Sequence, residues 1–193
     1  VKGVTDRLHR RHCKLFVDYN PWDTGTRREN ESDAEALGHL VHATDADGIF
    51  LDTLNQGSLD MRQAVDSGRP GVAFESEIAL PLSGLELNHL SWAQWFDYGQ
   101  TPGILRNRWF EQRHMMHVIR RWDTDHANEL HLAWMNGAGI LVWENVFGSW
   151  VGWSPTDRKT LRFMLPIQRR FTRHFSQGIW TPCLDTGTPG VHA

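Results

Sequence analysis

Gly48-Ile49-Phe50-Leu51-Asp52 decides the fold: a short apolar run closed by a carboxylate, set between two stretches of helical periodicity. Upstream, Ser32, Asp33, Ala34 and Glu35 form a capping-box signature, in which the serine side chain and the glutamate each satisfy an orphan N–H of the first turn. Leu37, Leu40, Val41 and Thr44 then follow at i, i+3, i+4 and i+7, one face of a helix. Downstream, Leu59 to Val65 carries a shorter helical pattern stopped by Gly68 and Pro70. Beyond these helices lie two more runs of the first kind. One is Lys14-Leu15-Phe16-Val17-Asp18, ahead of the turn formers Asn20 and Pro21; the other is Gly71-Val72-Ala73-Phe74-Glu75. Unbroken apolar runs suit strands covered on both faces, and strands that alternate with helices are joined by crossovers. The stretch from Lys14 to Glu75 therefore predicts a parallel α/β sheet.

Farther along, Leu80 to Leu87 reads as a loop or short helix and His89 to Trp92 as a fourth strand. Asn107 to Trp122, with Trp109, Met116 and Ile119, reads as helical. A second helical stretch opens at Asp123, carries Ala127, Leu130 and Trp134, and stops at Gly137 and Gly139. Gly139 to Glu144 is the last strand, and Ser154-Pro155 opens a helix through about Phe171 that Pro166 should kink. Five strand-helix units fit part of a (β/α)8 TIM barrel, whose complete form takes about 250 residues. On this reading residues 1–175 are the C-terminal part of a TIM-barrel catalytic domain. Val1, Val4 and Leu8 continue a helix already under way, and the Gly-, Pro- and Thr-rich residues 176–193 are a linker or the start of a further domain. The rival is an open doubly wound sheet, but no G-x-G-x-x-G follows any strand.

Composition removes several function classes. Twenty Lys plus Arg against 23 Asp plus Glu give a net charge of −3, without the basic excess that a nucleic-acid partner requires. No apolar run approaches the roughly 18 residues of a membrane span. Cys13 and Cys183 are too few and too far apart for a disulfide framework or a zinc ribbon. The outlier is 10 Trp against 2 Tyr, an excess that suits flat apolar ligand faces, sugars among them.

In a barrel the active site forms at the C-terminal strand ends, here Asp18, Asp52, Glu75, Glu77, Trp92 and Glu144. Several acids there match glycoside hydrolysis, which needs one carboxylate to attack or stabilise C1 and one to protonate the leaving oxygen. The alternative is that they form structural salt bridges with arginines. Glu75 and Glu77 share a strand face by the period of two, so either could oppose Asp52. Glu77 lies nearer the open end, where Phe74, Trp92 and Trp95 could desolvate a catalytic acid. Asn20-Pro21-Trp22-Asp23, with Arg27 and Arg28, can present donors and an indole face to a sugar; Trp143-Glu144-Asn145, with Trp150 and Trp153, crowds the mouth after the last strand. His114 and His117 at i, i+3, with His126 and His131, invite a metal reading, but no H-E-x-x-H is present. No G-x-S-x-G elbow occurs, and no cofactor is called for.

The run Asp45-Ala46-Asp47-Gly48-Ile49-Phe50-Leu51-Asp52, with the Lys14 to Asp18 strand and the capped helix, resembles the central strands of retaining α-glycosidases of the melibiase type. There a strand of pattern Gly-hydrophobic-aromatic-x-Asp delivers the nucleophile, which the resemblance puts at Asp52. Leu51 stands where a lysine often precedes it. Phe74-Glu75-Ser76-Glu77 offers a glutamate as acid/base, more like the endo-acting α-N-acetylgalactosaminidases. The resemblance extends in layout over about residues 1–175. It implies a retaining glycoside hydrolase acting on an α-linked oligosaccharide or glycoside. A non-catalytic glycan-binding barrel and a metal-dependent barrel hydrolase built on the histidines are the alternatives.

Overall fold

The computed structural model describes residues 1–22, 30–94, 111, 115–118, 130, 134, 137, 139–140, 154–179, 181, 184–189 and 191. Its elements run α1 (Lys2–His9), β1 (Phe16–Tyr19), α2 (Asp33–Thr44), β2 (Gly48–Leu51), α3 (Leu59–Gly68), β3 (Ala73–Ile78), a single 3-10 turn (Leu82–Gly84), β4 (Leu90–Gln94), β5 (Met115–Val118), β6 (Gly139–Ile140) and α4 (Pro155–Gln177). The strands lie side by side in chain order, β1-β2-β3-β4-β5-β6, and every neighbouring pair is parallel. The fold is thus α/β, as the alternation of periodicities predicts.

Local chemistry starts the helices where the sequence says it should. Ser32 Oγ accepts the Glu35 N–H at 3.3 Å while the Glu35 carboxylate accepts the Ser32 N–H at 3.0 Å, the reciprocal capping box of α2. The same box opens α4, between Ser154 and Asp157, with Pro155 at the first helical position. Helices α2 and α3 pack closely because a glycine stands at each crossing point. A Cβ on Gly38 would come 2.9 Å from the Ala64 carbonyl oxygen, and one on Gly68 would overlap the Gly38 carbonyl.

Register fixes which side chains share a sheet face. Phe16 pairs with Gly48 and Gly48 with Ala73, so alternation sends Tyr19, Ile49, Leu51 and Phe74 to one face. There they meet Leu37 and Val41 of α2 and Val65 of α3 in a single buried cluster, joined by Val72. Both helices therefore cover the same side of the sheet. Phe74 is fully buried in this cluster, and truncating such a ring to alanine costs about 3–5 kcal/mol. The opposite face carries Phe16, Asp18, Phe50, Asp52, Glu75, Glu77 and Trp92, with Phe50 stacked on Trp92 at 4.1 Å between ring centroids.

Three sequence expectations are corrected. Strand β3 spans Ala73–Ile78, starting two residues later and ending three residues later than the run read as Gly71 to Glu75. Met115–Val118 is a strand within a segment whose periodicity read as helical, which makes six strands among the described residues where five were expected and puts His117 on a strand. The reason is that Met115-Met116-His117-Val118 is a short near-continuous apolar run, which periodicity alone does not separate from a buried helical turn. Helix α4 continues unbroken through Pro166 to Gln177, beyond the expected end near Phe171. Leu130 and Trp134 are helical as read, and the expected strand residues 141–144 lie outside the described residues. No helix among the described residues is long and apolar enough to cross a membrane.

Candidate functional site

The C-terminal ends of β1, β2 and β3 gather acids on the sheet face opposite α2 and α3. Extending the register by one pair past Leu51↔Ser76 sets Asp52 opposite Glu77, and one pair past Tyr19↔Leu51 sets Asn20 opposite Asp52. The contacts follow this geometry. Asn20 Nδ2 donates to Asp52 Oδ2 at 2.7 Å, which orients the Asp52 carboxylate from its β1 side. Asp18 lies two residues before Asn20 on β1, on the same face, and is exposed. Its carboxyl is held above the ordinary value, first by partial burial and second by the negative charge of Asp52.

Glu77 and Glu75 are both buried, at 8% and 5% exposure, and differ in depth along β3. Glu75 sits beside Phe50 and Leu90 in the middle of the sheet, whereas Glu77 lies at the rim with Asp52. Glu77 Oε2 accepts the backbone N–H of Thr53 at 2.6 Å. That donor belongs to the residue directly after Asp52, so one peptide unit ties the two strand ends together.

Thr53 is the residue that sequence reasoning missed. It has φ +62°, the left-handed region that a β-branched side chain rarely enters, at a cost of roughly 1–3 kcal/mol. Its hydroxyl donates to the Asp52 carbonyl oxygen at 2.6 Å and accepts from the Trp22 indole Nε1–H at 2.8 Å. No sequence signal points to it, because a β-branched residue argues against the conformation it adopts. Trp22 is further fixed by its backbone N–H, which donates to Asn20 Oδ1 at 3.1 Å, yet 65% of the residue remains exposed. An indole pinned at its nitrogen with its surface in solvent is a ready platform for an apolar ligand face.

Of the residues expected from sequence, the structure thus brings Asp52, Glu77, Asn20 and Trp22 into one connected group, with Asp18 beside it and Glu75 below. Trp92 lies half-buried against Phe50, so one of its ring faces is covered from within the protein. Asp23, Arg27, Arg28, Trp95, Trp143, Glu144, Asn145, Trp150 and Trp153 lie outside the described residues, as do His114, His126 and His131. Among the described residues no His, Cys, Asp and Glu set is arranged to hold a metal ion. Chemically, the group offers two carboxylates on adjacent strands, a side-chain amide and an exposed indole. No protein-family model and no curated protein matches the chain.

Proposed function

We propose that the chain is a glycoside hydrolase of (β/α)8-barrel type, in which Asp52 and Glu77 are the catalytic pair. The observation that carries the reading is their position at the C-terminal ends of adjacent parallel strands, on the face opposite the helices and linked through Thr53. Two features support the barrel. The strand order is sequential without the reversal that a doubly wound sheet requires, and α2 and α3 cover one face only.

The chemistry divides by environment. Asp52, held by the Asn20 amide and set nearer the solvent-facing indole, is the group to attack C1 of the bound sugar. Glu77, buried at the rim with one oxygen held by the Thr53 N–H, is the group to deliver a proton to the leaving oxygen and to take one from water afterwards. Trp22 stacks on the apolar face of the sugar. The similarity to melibiase-type enzymes supports retention of configuration and an α-linked substrate.

The test is hydrolysis of a panel of α-linked aryl glycosides by the full-length protein, with the anomer of the first product read by proton NMR. Retained α-product is expected; inverted β-product would reassign Asp52 as a base acting through water. Replacing the true acid by Gln should spare substrates with acidic phenols as leaving groups, since these need little protonation, and cripple natural glycosides. Glu77→Gln is expected to behave so; the same pattern in Glu75→Gln instead would move the role one pair deeper. A non-catalytic glycan-binding protein is the second reading, favoured by the fixed, exposed indole of Trp22. Saturable glycan binding with no turnover across the panel would establish it.

A further inference from the structure

We propose that Thr53 is a positioning residue that couples sugar binding to the acid pair: its hydroxyl sets the Trp22 indole, and its backbone N–H sets Glu77. The inference rests on the glycosidase reading of this site and goes beyond it, since it gives Thr53 a defined role through its bonds to Trp22 and Glu77.

A left-handed threonine persists only where the surroundings over-determine it, and such residues concentrate where a structure fixes functional groups. At Thr53 the surroundings can be named. In this turn the N–H points to Glu77 Oε2 at 2.6 Å, while the hydroxyl bridges the Asp52 carbonyl at 2.6 Å and the Trp22 indole N–H at 2.8 Å. A glycine would reach the same backbone conformation without strain but would offer no acceptor to the indole. A hydroxyl is therefore the group needed if the turn must hold Trp22 and Glu77 together.

The hydroxyl arm has a kinetic signature of its own. The hydroxyl acts on Trp22, which contacts bound sugar in ground state and transition state alike, so its loss should raise KM and leave kcat nearly unchanged. Thr53→Val keeps the branched shape and the backbone N–H but removes the hydroxyl, and with it the bonds to the Trp22 indole and the Asp52 carbonyl. It should raise KM about 5- to 10-fold with kcat within about 2-fold of wild type. Thr53→Ser restores the hydroxyl and should return KM to within about 2-fold of wild type. The indole N–H resonance of Trp22, assigned through Trp22→Phe, should shift in Thr53→Val and return in Thr53→Ser. Thermal melts establish that both variants are folded.

Wild-type KM together with an unmoved Trp22 indole signal in a folded Thr53→Val would overturn the inference, as would a fall in kcat at unchanged KM. If the wild-type protein neither hydrolyses nor binds any glycoside, the glycosidase reading fails by itself. Thr53 is then decided on the indole signal: shifted in the valine variant and restored by serine, the positioning role stands; unmoved, it falls.

Discussion

Two aspartates at opposite ends of β2 meet opposite treatment. Asp47, at the N-terminal end, is 9% exposed. It accepts from His9 Nε2 at 2.7 Å, Lys14 Nζ at 2.9 Å and the Leu15 N–H at 2.9 Å, with the Arg69 guanidinium 3.8 Å away. Burial pushes its carboxyl up, but the Leu15 N–H, His9 and Lys14 together outweigh burial and hold it down at about 2. Around it the same edge is further laced by Arg69 to Asp45 and to the Ala46 carbonyl, and by the Thr5 hydroxyl to the Thr44 carbonyl at 2.8 Å. Asp52, at the C-terminal end, meets an uncharged amide and a neighbouring acid, Asp18, whose proton its charge helps to retain. One rim neutralises its carboxylate and gains stability. The other keeps acids beside acids, an arrangement that opposes folding and is of the kind found where charge serves binding or reaction.

The sharpest break in that comparison is a pair of substitutions. Asp52→Ala should lower turnover by about 10⁴-fold or more while the melting temperature stays within a few degrees of wild type, and azide should rescue it partly by forming a glycosyl azide. Wild-type turnover would remove Asp52 from the chemistry. Asp47→Ala should do the reverse, costing about 2–3 kcal/mol because Lys14, His9 and the Leu15 N–H lose their shared acceptor, with activity per folded molecule retained. Denaturant melts of the two variants side by side measure both effects.

Acid titration sharpens the same contrast. Because the folded Asp47 carboxyl lies below its ordinary value of 3.8, its contribution is fully present above that value and is lost as pH falls towards about 2. The wild type should therefore shed about 2 kcal/mol across that window, and Asp47→Asn should show a correspondingly flatter stability profile there. Equal slopes in the two proteins would assign acid unfolding to other groups.

Smaller effects are expected at the ligand rim. Trp22→Ala should weaken glycoside binding about 10-fold with little change in melting temperature, since the ring is mostly exposed and its loss opens no cavity. A drop of many degrees would mean that the indole is structural. Asp18 supplies the smallest effect and the opposite sign to Asp47. Its raised folded value means that ionisation opposes folding, so the penalty is full above that value and vanishes below the ordinary carboxylate range. Asp18→Asn should raise the melting temperature slightly at pH 7 and leave it unchanged at pH 3. In Asp52→Asn the carboxyl carbon of Asp18, followed by NMR, should titrate at lower pH than in wild type.

Much of the fold was legible in the residues themselves. The Ser32–Glu35 box, the face made by Leu37 and Val41, and the runs at Phe16, Gly48 and Ala73 are local or periodic signals. Caps, helical faces and apolar strands leave their mark within a few positions. Asp52 and Glu77 were visible too, the first as the acid closing an apolar run and the second as sharing a strand face with Glu75. Strand β5 was not, because its four residues carry neither period clearly. Thr53 was not either, because the energy that holds it left-handed comes from residues 24 and 31 positions away along the chain, at Glu77 and Trp22.

The sequence by itself determined the alternation of helix and strand, the helix starts and the set of acids available to the site. Only the tertiary structure decided which acids meet. Parallel register put Asp52 beside Glu77 and Asn20, and gave Asp47 its cationic neighbours instead. The physical reason is that local propensity acts over a turn or two of chain. The pairing of parallel strands, by contrast, is selected by burying one face against α2 and α3, which fixes every side chain on the opposite face at the same moment.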